Sequence, residues 1–231
     1  MPPPKLIPEQ EHKTCDIVAT AKGEEHIYYI EVKDRWLPNT KGEFKMGWSP
    51  STEAVIAKAV EQWTAMPKQK GAVFVLWVNI REDDEDETVL ESLWHTLYGV
   101  QEVEVSRGNI KIRTACFYLN PSAFRKWPDL AATIISTGKG LVFCLNQGSH
   151  SDLRRSRLFS LYKRVNGVME PDAIERDKGC LIAQAGRNEE ERMKSTMTHY
   201  GFESMAKVHG RITRDFRIIR LPAGGAAQTR K

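Results

Sequence analysis

The chain has 231 residues, 41% of them hydrophobic and 28% charged, a composition that supports a folded core and excludes a fibrous or wholly disordered protein. No run approaches the ~18 apolar residues of a membrane span, and Met1-Pro2-Pro3-Pro4-Lys5 lacks the apolar stretch of a secretion signal, so a cytoplasmic protein without a membrane partner is expected. The formal charge of +4 conceals an asymmetry: residues 1–110 carry 12 Lys/Arg against 19 Asp/Glu, whereas residues 111–231 carry 22 against 11. A basic second half suits a polyanion and equally suits a solvated face.

Taken in chain order, residues 15–21 and 27–33 are rich in β-formers and flank Lys22-Gly23-Glu24-Glu25, which predicts a β-hairpin. After irregular residues 34–48, Ser49-Pro50 opens a helix whose Val55, Ile56, Ala59, Val60 and Trp63 form one apolar stripe up to Met66. The unbroken apolar run from Gly71 to Ile80 reads as a central strand covered on both faces. An acidic run, Glu82 to Glu87, precedes a helix near 89–98 and a second hairpin, 103–106 with 110–119, joined through Arg107-Gly108-Asn109. Helix 121–136, strand 140–146, helix 152–165, strand 179–185, helix 189–200 and strand 211–221 complete an α/β or α+β alternation. Cys15, Cys116, Cys144 and Cys180 have no paired metal spacing and read as reduced core residues.

The residues that carry chemistry are Asp16, Glu31 and Lys33. Glu31 and Lys33 alternate on one strand and so share a face. A two-residue turn with Gly23 in its first central place, or a symmetric loop over 22–25, sets Asp16 directly opposite Glu31. Two carboxylates facing each other across a ladder repel unless a positive charge lies between them. Mg²⁺ fits that role, held by Asp16, Glu31 and the Val32 carbonyl, with Mn²⁺ as a substitute. Lys33 on the same face then stabilises charge on a phosphoryl group or helps to deprotonate water. These are the parts that phosphodiester hydrolysis requires.

Cys15-Asp16, a hairpin, Glu31-Val32-Lys33, a helix carrying Gln62 and the apolar strand 71–80 together resemble the PD-(D/E)xK phosphodiesterases. That resemblance spans roughly residues 9–80. It implies a restriction-endonuclease-like mixed β-sheet core flanked by helices over residues 1–110. Residues 111–231 then form a basic α/β extension, packed on the same sheet or standing as a second subdomain. It further implies Mg²⁺-dependent cleavage of nucleic acid, with Asp16 and Glu31 as metal ligands, Lys33 as the catalytic lysine and Gln62 near it. Cys15 stands where the family name has proline. Only fourteen residues precede it, four of them proline, so the acidic residue of the family's leading helix falls to Glu9 or Glu11, or else the helix is supplied differently, the chain begins later than its relatives, or the site is degenerate.

Arg35, Lys41 and Lys45 alternate with Trp36, Phe44 and Trp48 just beyond Lys33, a mixture that grips a nucleic-acid strand or packs its own aromatics over the sheet edge. Arg154, Arg155 and Arg157 lie on helix 152–165 and are further candidates for phosphate contacts. The reading is a metal-dependent nuclease acting on DNA more readily than RNA, with homodimerisation or membership of a larger complex left open. Its rival is a catalytically inactive nucleic-acid-binding or assembly module on the same fold.

Overall fold

The computed structural model describes residues 15–36, 50–81, 86–137, 140–151, 153–160 and 167–208. The first hairpin pairs β1 (Ile17–Thr20) antiparallel with β2 (Ile27–Trp36), and Ile17 stands opposite Ile30 and Val18 opposite Tyr29. This is the register expected from the sequence. The turn differs, because Glu24 N–H donates to Ala21 O and Gly23, at φ +81°, occupies the third position rather than the first central one. That third position is where this turn needs the left-handed region that glycine tolerates.

Helix α1 (Pro50–Ala65) links β2 to β3 (Ala72–Arg81), which runs parallel to β2 along its whole length, with Glu31 opposite Leu76 and Lys33 opposite Val78. Ile56, Ala59, Trp63 and Met66 form the helix's buried stripe. Trp63 stacks on Phe74 at 5.2 Å and meets Tyr29 edge-on at 5.7 Å, which seats the helix on one face of β2 and β3. The strands bury both faces. Tyr29, Phe74, Leu76 and Val78 look toward α1, whereas Tyr28, Ile30, Val73 and Val75 join Leu153 and Phe159 on the other side.

The remaining elements are α2 (Asp86–Tyr98), β4 (Gln101–Arg107), β5 (Ile110–Phe117), α3 (Ala123–Lys126), β6 (Leu130–Thr137), β7 (Gly140–Leu145), β8 (Gly167–Met169), α4 (Pro171–Lys178), β9 (Leu181–Ile182), α5 (Glu189–Tyr200) and β10 (Ser204–Lys207). They complete two mixed sheets, one ordered β1-β2-β3-β6-β7-β8 and the other β10-β4-β5-β9. The six-stranded sheet continues past residue 110 through β6, β7 and β8. Tyr98 joins the sheets: its hydroxyl lies 3.0 Å from the carbonyls of both Leu145 and Met169, and its ring packs edge-on against Phe117. The architecture is mixed α/β, with helices flanking the sheets.

Several expectations are corrected. Residues 121–136 are not one helix: α3 covers four residues, and β6 follows. Pro128 disfavours helical backbone before it, and the β-branched Thr133, Ile134 and Ile135 pair between β3 and β7. Strand 179–185 shrinks to Leu181–Ile182, because Pro171 opens α4 and Gly179, at φ +68°, closes it. The short strands β8 and β10 carry too few residues to announce themselves. Of helix 152–165, residues 157–160 are helical, and strand 211–221 lies outside the described residues. All four cysteines are free and buried, as expected.

Candidate active site around Asp16, Glu31 and Lys33

Because Trp63 fixes α1 above Tyr29, the preceding residue, Gln62, comes to rest over the next same-face positions of β2. Lys33 Nζ donates to Gln62 Oε1 across 2.8 Å and forms an ion pair with Glu31 Oε1. The Glu31 side chain is only 3% exposed and that of Lys33 22%, so the carboxylate is buried and the amine keeps some access to solvent. Glu31 Oε2 is buried and has no hydrogen-bond partner among the described residues. A buried polar atom without a partner costs about 1–3 kcal/mol, more when it is charged, and calls for an explanation.

Asp16 approaches from β1. The main-chain ladder of the hairpin ends at Ile17, and beyond it the Asp16 carboxylate takes the place of a strand partner: Val32 N–H donates to Asp16 Oδ2 across 2.7 Å. Asp16 itself is exposed, so its carboxylate stands where solvent meets the buried Glu31–Lys33 pair. The Cys15 thiol registers both acids. Burial pushes it up to about 12, with the negative charges of Glu31 and then Asp16 adding to the effect, which keeps it a neutral thiol at physiological pH. Glu31, Lys33 and Gln62 thus touch one another, and Asp16, just before β1, is tied to the main chain between Glu31 and Lys33.

On the opposite face of the same strands, a polar chain runs across three neighbours. Trp77 Nε1 donates to Ser136 Oγ, Ser136 Oγ donates to Asn79 Oδ1, and Asn79 Nδ2 donates to Asp34 Oδ1, each across 2.9 Å. Sequence reasoning passed over this chain. Its available signal was Asn79, a lone amide inside the apolar run that forms β3.

The basic residues are placed less uniformly. Arg154 is engaged by Asp172 at 2.7 Å and Glu170 at 3.4 Å. Arg157 donates its main-chain N–H to Glu24, and Arg155 is exposed. Their segment packs through Leu153 and Phe159 on the face of β2 turned away from Glu31 and Lys33. The structure therefore does not gather these arginines with the acidic pair. Arg35 lies near the end of β2, one pairing step from Asp34, and Lys41 and Lys45 fall outside the described residues.

Carboxylate oxygens are the donor type a hard divalent cation takes, and the site offers two such groups, that of Glu31 with a buried oxygen unpartnered among the described residues. Among the described residues no group of three or more His, Cys, Asp or Glu side chains that could hold a metal ion is present. No helix among them is long and apolar enough to cross a membrane. No protein-family model, curated protein or solved structure significantly matches the chain.

Proposed function

We propose that this protein is a metal-dependent phosphodiesterase that cleaves nucleic acid, DNA in preference to RNA, on a restriction-endonuclease-like sheet. The observation that carries this reading is the unpartnered, buried Glu31 Oε2 beside the Lys33 ammonium, with Asp16 anchored across the hairpin. Asp16, Glu31 and the Val32 carbonyl would hold Mg²⁺ or Mn²⁺, which when bound polarises a phosphoryl oxygen and makes hydroxide accessible near neutral pH.

The chain's own residues do the positioning. Val32 N–H holds the Asp16 carboxylate at a fixed place on the strand. Glu31 and Gln62 aim the Lys33 ammonium, which stabilises negative charge building on the non-bridging phosphate oxygens. Low exposure around Glu31 keeps competing water away from that charge and strengthens its interaction with the amine. The test is cleavage of plasmid and single-stranded DNA with Mg²⁺ or Mn²⁺. Glu31→Gln and Lys33→Ala should abolish cutting while nucleic-acid binding remains. If cutting persists undiminished in both variants, the site is elsewhere.

A second reading, an inactive nucleic-acid-binding or assembly module, draws support from the direct Glu31–Lys33 ion pair, which already neutralises one of the two candidate acidic ligands. It predicts binding without cleavage in the unmodified protein, and the same assay separates the two.

A further inference from the structure

A second built feature lies just past β5. Tyr118 has φ +63°, the one described non-glycine residue in the left-handed region, a conformation costly for a bulky side chain and one that tends to mark a working part of a protein. It is held there from both sides. Its N–H donates to Tyr98 O across 2.7 Å, and its ring lies beneath the Arg125 guanidinium, 4.9 Å away. The bend leaves the carbonyls of two successive residues facing two different arginines: Tyr118 O accepts from Arg125 Nη1 at 3.0 Å, and Leu119 O accepts from Arg192 Nε at 2.8 Å.

Each guanidinium is braced a second time by main chain, Arg125 Nη2 by Ala183 O at 2.6 Å and Arg192 Nη1 by Gly186 O at 3.4 Å. Carbonyls fix the position of a cation without cancelling its charge. Neither arginine forms a carboxylate ion pair among the described residues, and each keeps donors to spare. They come from separate helices, α3 and α5, yet line one cavity of about 310 Å³ with Ser122, Asn120, Lys126 and Glu53. Lys126 is matched to Glu53 at 2.6 Å, so the uncompensated charge of this cavity belongs to the two arginines. Burial pulls the Arg125 pKa down, and the neighbouring charge of Arg192 acts in the same direction, so the pair gains from an anion shared between them.

We propose that this cleft is a phosphate-recognition site, in which Arg125 and Arg192 together take one phosphate or phosphomonoester. The guanidinium fork matches phosphate oxygens in bidentate fashion, and the cavity lies at the small end of the ligand-pocket range of ~300–1,000 Å³, suited to a phosphate with little attached. The phosphate comes either from a free small molecule or from the terminus of a nucleic acid. This inference does not depend on the phosphodiesterase reading, because it invokes none of Asp16, Glu31 or Lys33.

The test uses the full chain carrying Glu31→Gln, so that no cleavage intrudes. Phenylglyoxal modifies accessible arginines, and peptide mass spectrometry locates the adducts. Inorganic phosphate should slow labelling of Arg125 and Arg192 at least fivefold relative to chloride of equal ionic strength, while exposed Arg113 and Arg155 label at unchanged rates. A 5′-phosphorylated oligonucleotide that protects where its 5′-hydroxyl counterpart does not supports the site with a nucleic-acid end as the source; protection by inorganic phosphate alone supports it with a free phosphate. Equal labelling of Arg125 and Arg192 in phosphate and chloride overturns the proposal. As an independent measurement, phosphate affinity by calorimetry should fall at least tenfold in Arg192→Gln, with Arg192→Lys retaining more of it; unchanged affinity in Arg192→Gln also overturns it.

Discussion

The main-chain N–H of Val32 donates to Asp16 Oδ2 across 2.7 Å, so the acid just before the first strand is anchored to the residue that lies between Glu31 and Lys33. One bond thereby ties together the three functional groups of the hairpin. Glu31 and Lys33 project to the same side of β2 because side chains alternate along a strand, and Asp16 is locked to the peptide that joins them. Among the described residues, the group is held by the hairpin strands and by a helix seated through Trp63, elements more rigid than a loop.

Asp16→Asn should keep the anchor and lose the chemistry. An asparagine carbonyl can still accept from Val32 N–H, so circular dichroism and the unfolding midpoint should hardly change. The lost charge removes one of two carboxylate ligands, and Mn²⁺ affinity, followed by calorimetry, should fall by about tenfold or more. Asp16→Ala should weaken the metal comparably and in addition lower stability by about 1 kcal/mol, through the unmet Val32 N–H. Equal Mn²⁺ affinity in the unmodified protein and in Asp16→Asn would remove this residue from the ligand set.

The Glu31–Lys33 pair predicts strong coupling in folding. Removing the amine leaves a carboxylate that is nearly inaccessible to water, so Lys33→Met should cost about 1–3 kcal/mol in urea unfolding, below the range for fully buried pairs because the amine retains some solvent. In a Glu31→Gln background the same change should cost less than half as much, since no charge is then stranded. Additive costs in the double variant would show that the two groups do not depend on each other.

Alkaline pH offers a third check. Burial pushes the Tyr28 hydroxyl up to about 12, with its 2.7 Å bond to Glu24 reinforcing the shift. An unfolded tyrosine loses its proton near pH ~10, so between that pH and about 12 the unfolded chain holds fewer protons than the folded one, and stability falls as pH rises. Tyr28→Phe removes this contribution. The variant should be less stable by about 1 kcal/mol at neutral pH, from the lost hydrogen bond, and the gap to the unmodified protein should narrow above pH ~10. Urea midpoints measured from pH 7 to 11 test this; a gap that stays constant or widens contradicts the assignment.

The parts of the fold governed by local rules were legible in the sequence. The hairpin register followed from alternation and loop symmetry, and β3 announced itself through an apolar run that only a doubly covered strand can bury. Gln62 could be placed near Lys33 only through family resemblance, and the structure supplies the physical cause in the stacking of Trp63 on Phe74. What stayed hidden was set by distant partners. Leu130-Ala131-Ala132 reads as helix in isolation and becomes strand because β3 and β7 offer ladders on both sides. Arg125 and Arg192 share no local pattern and line one cavity only in the fold, where Tyr118 O and Leu119 O hold them.

Gln62 provides the most discriminating substitution, because it touches Lys33 but carries no charge and is no candidate metal ligand. Its neighbour Trp63 holds α1 in place, so Gln62→Ala should leave the helix seated and alter stability by no more than about 1 kcal/mol. Lys33 Nζ then keeps only Glu31 as a partner and swings away from the position it occupies with both. If the amine must point at a phosphate oxygen, its displacement weakens the stabilisation of charge in the transition state and lowers the cleavage rate by about 10–100-fold, while Mn²⁺ affinity and DNA binding stay unchanged. Gln62→Glu keeps an acceptor for the amine and should recover part of the rate. Single-turnover cleavage with saturating metal isolates this effect from binding, and an unaltered rate in Gln62→Ala would mean that Glu31 alone is sufficient to orient the lysine.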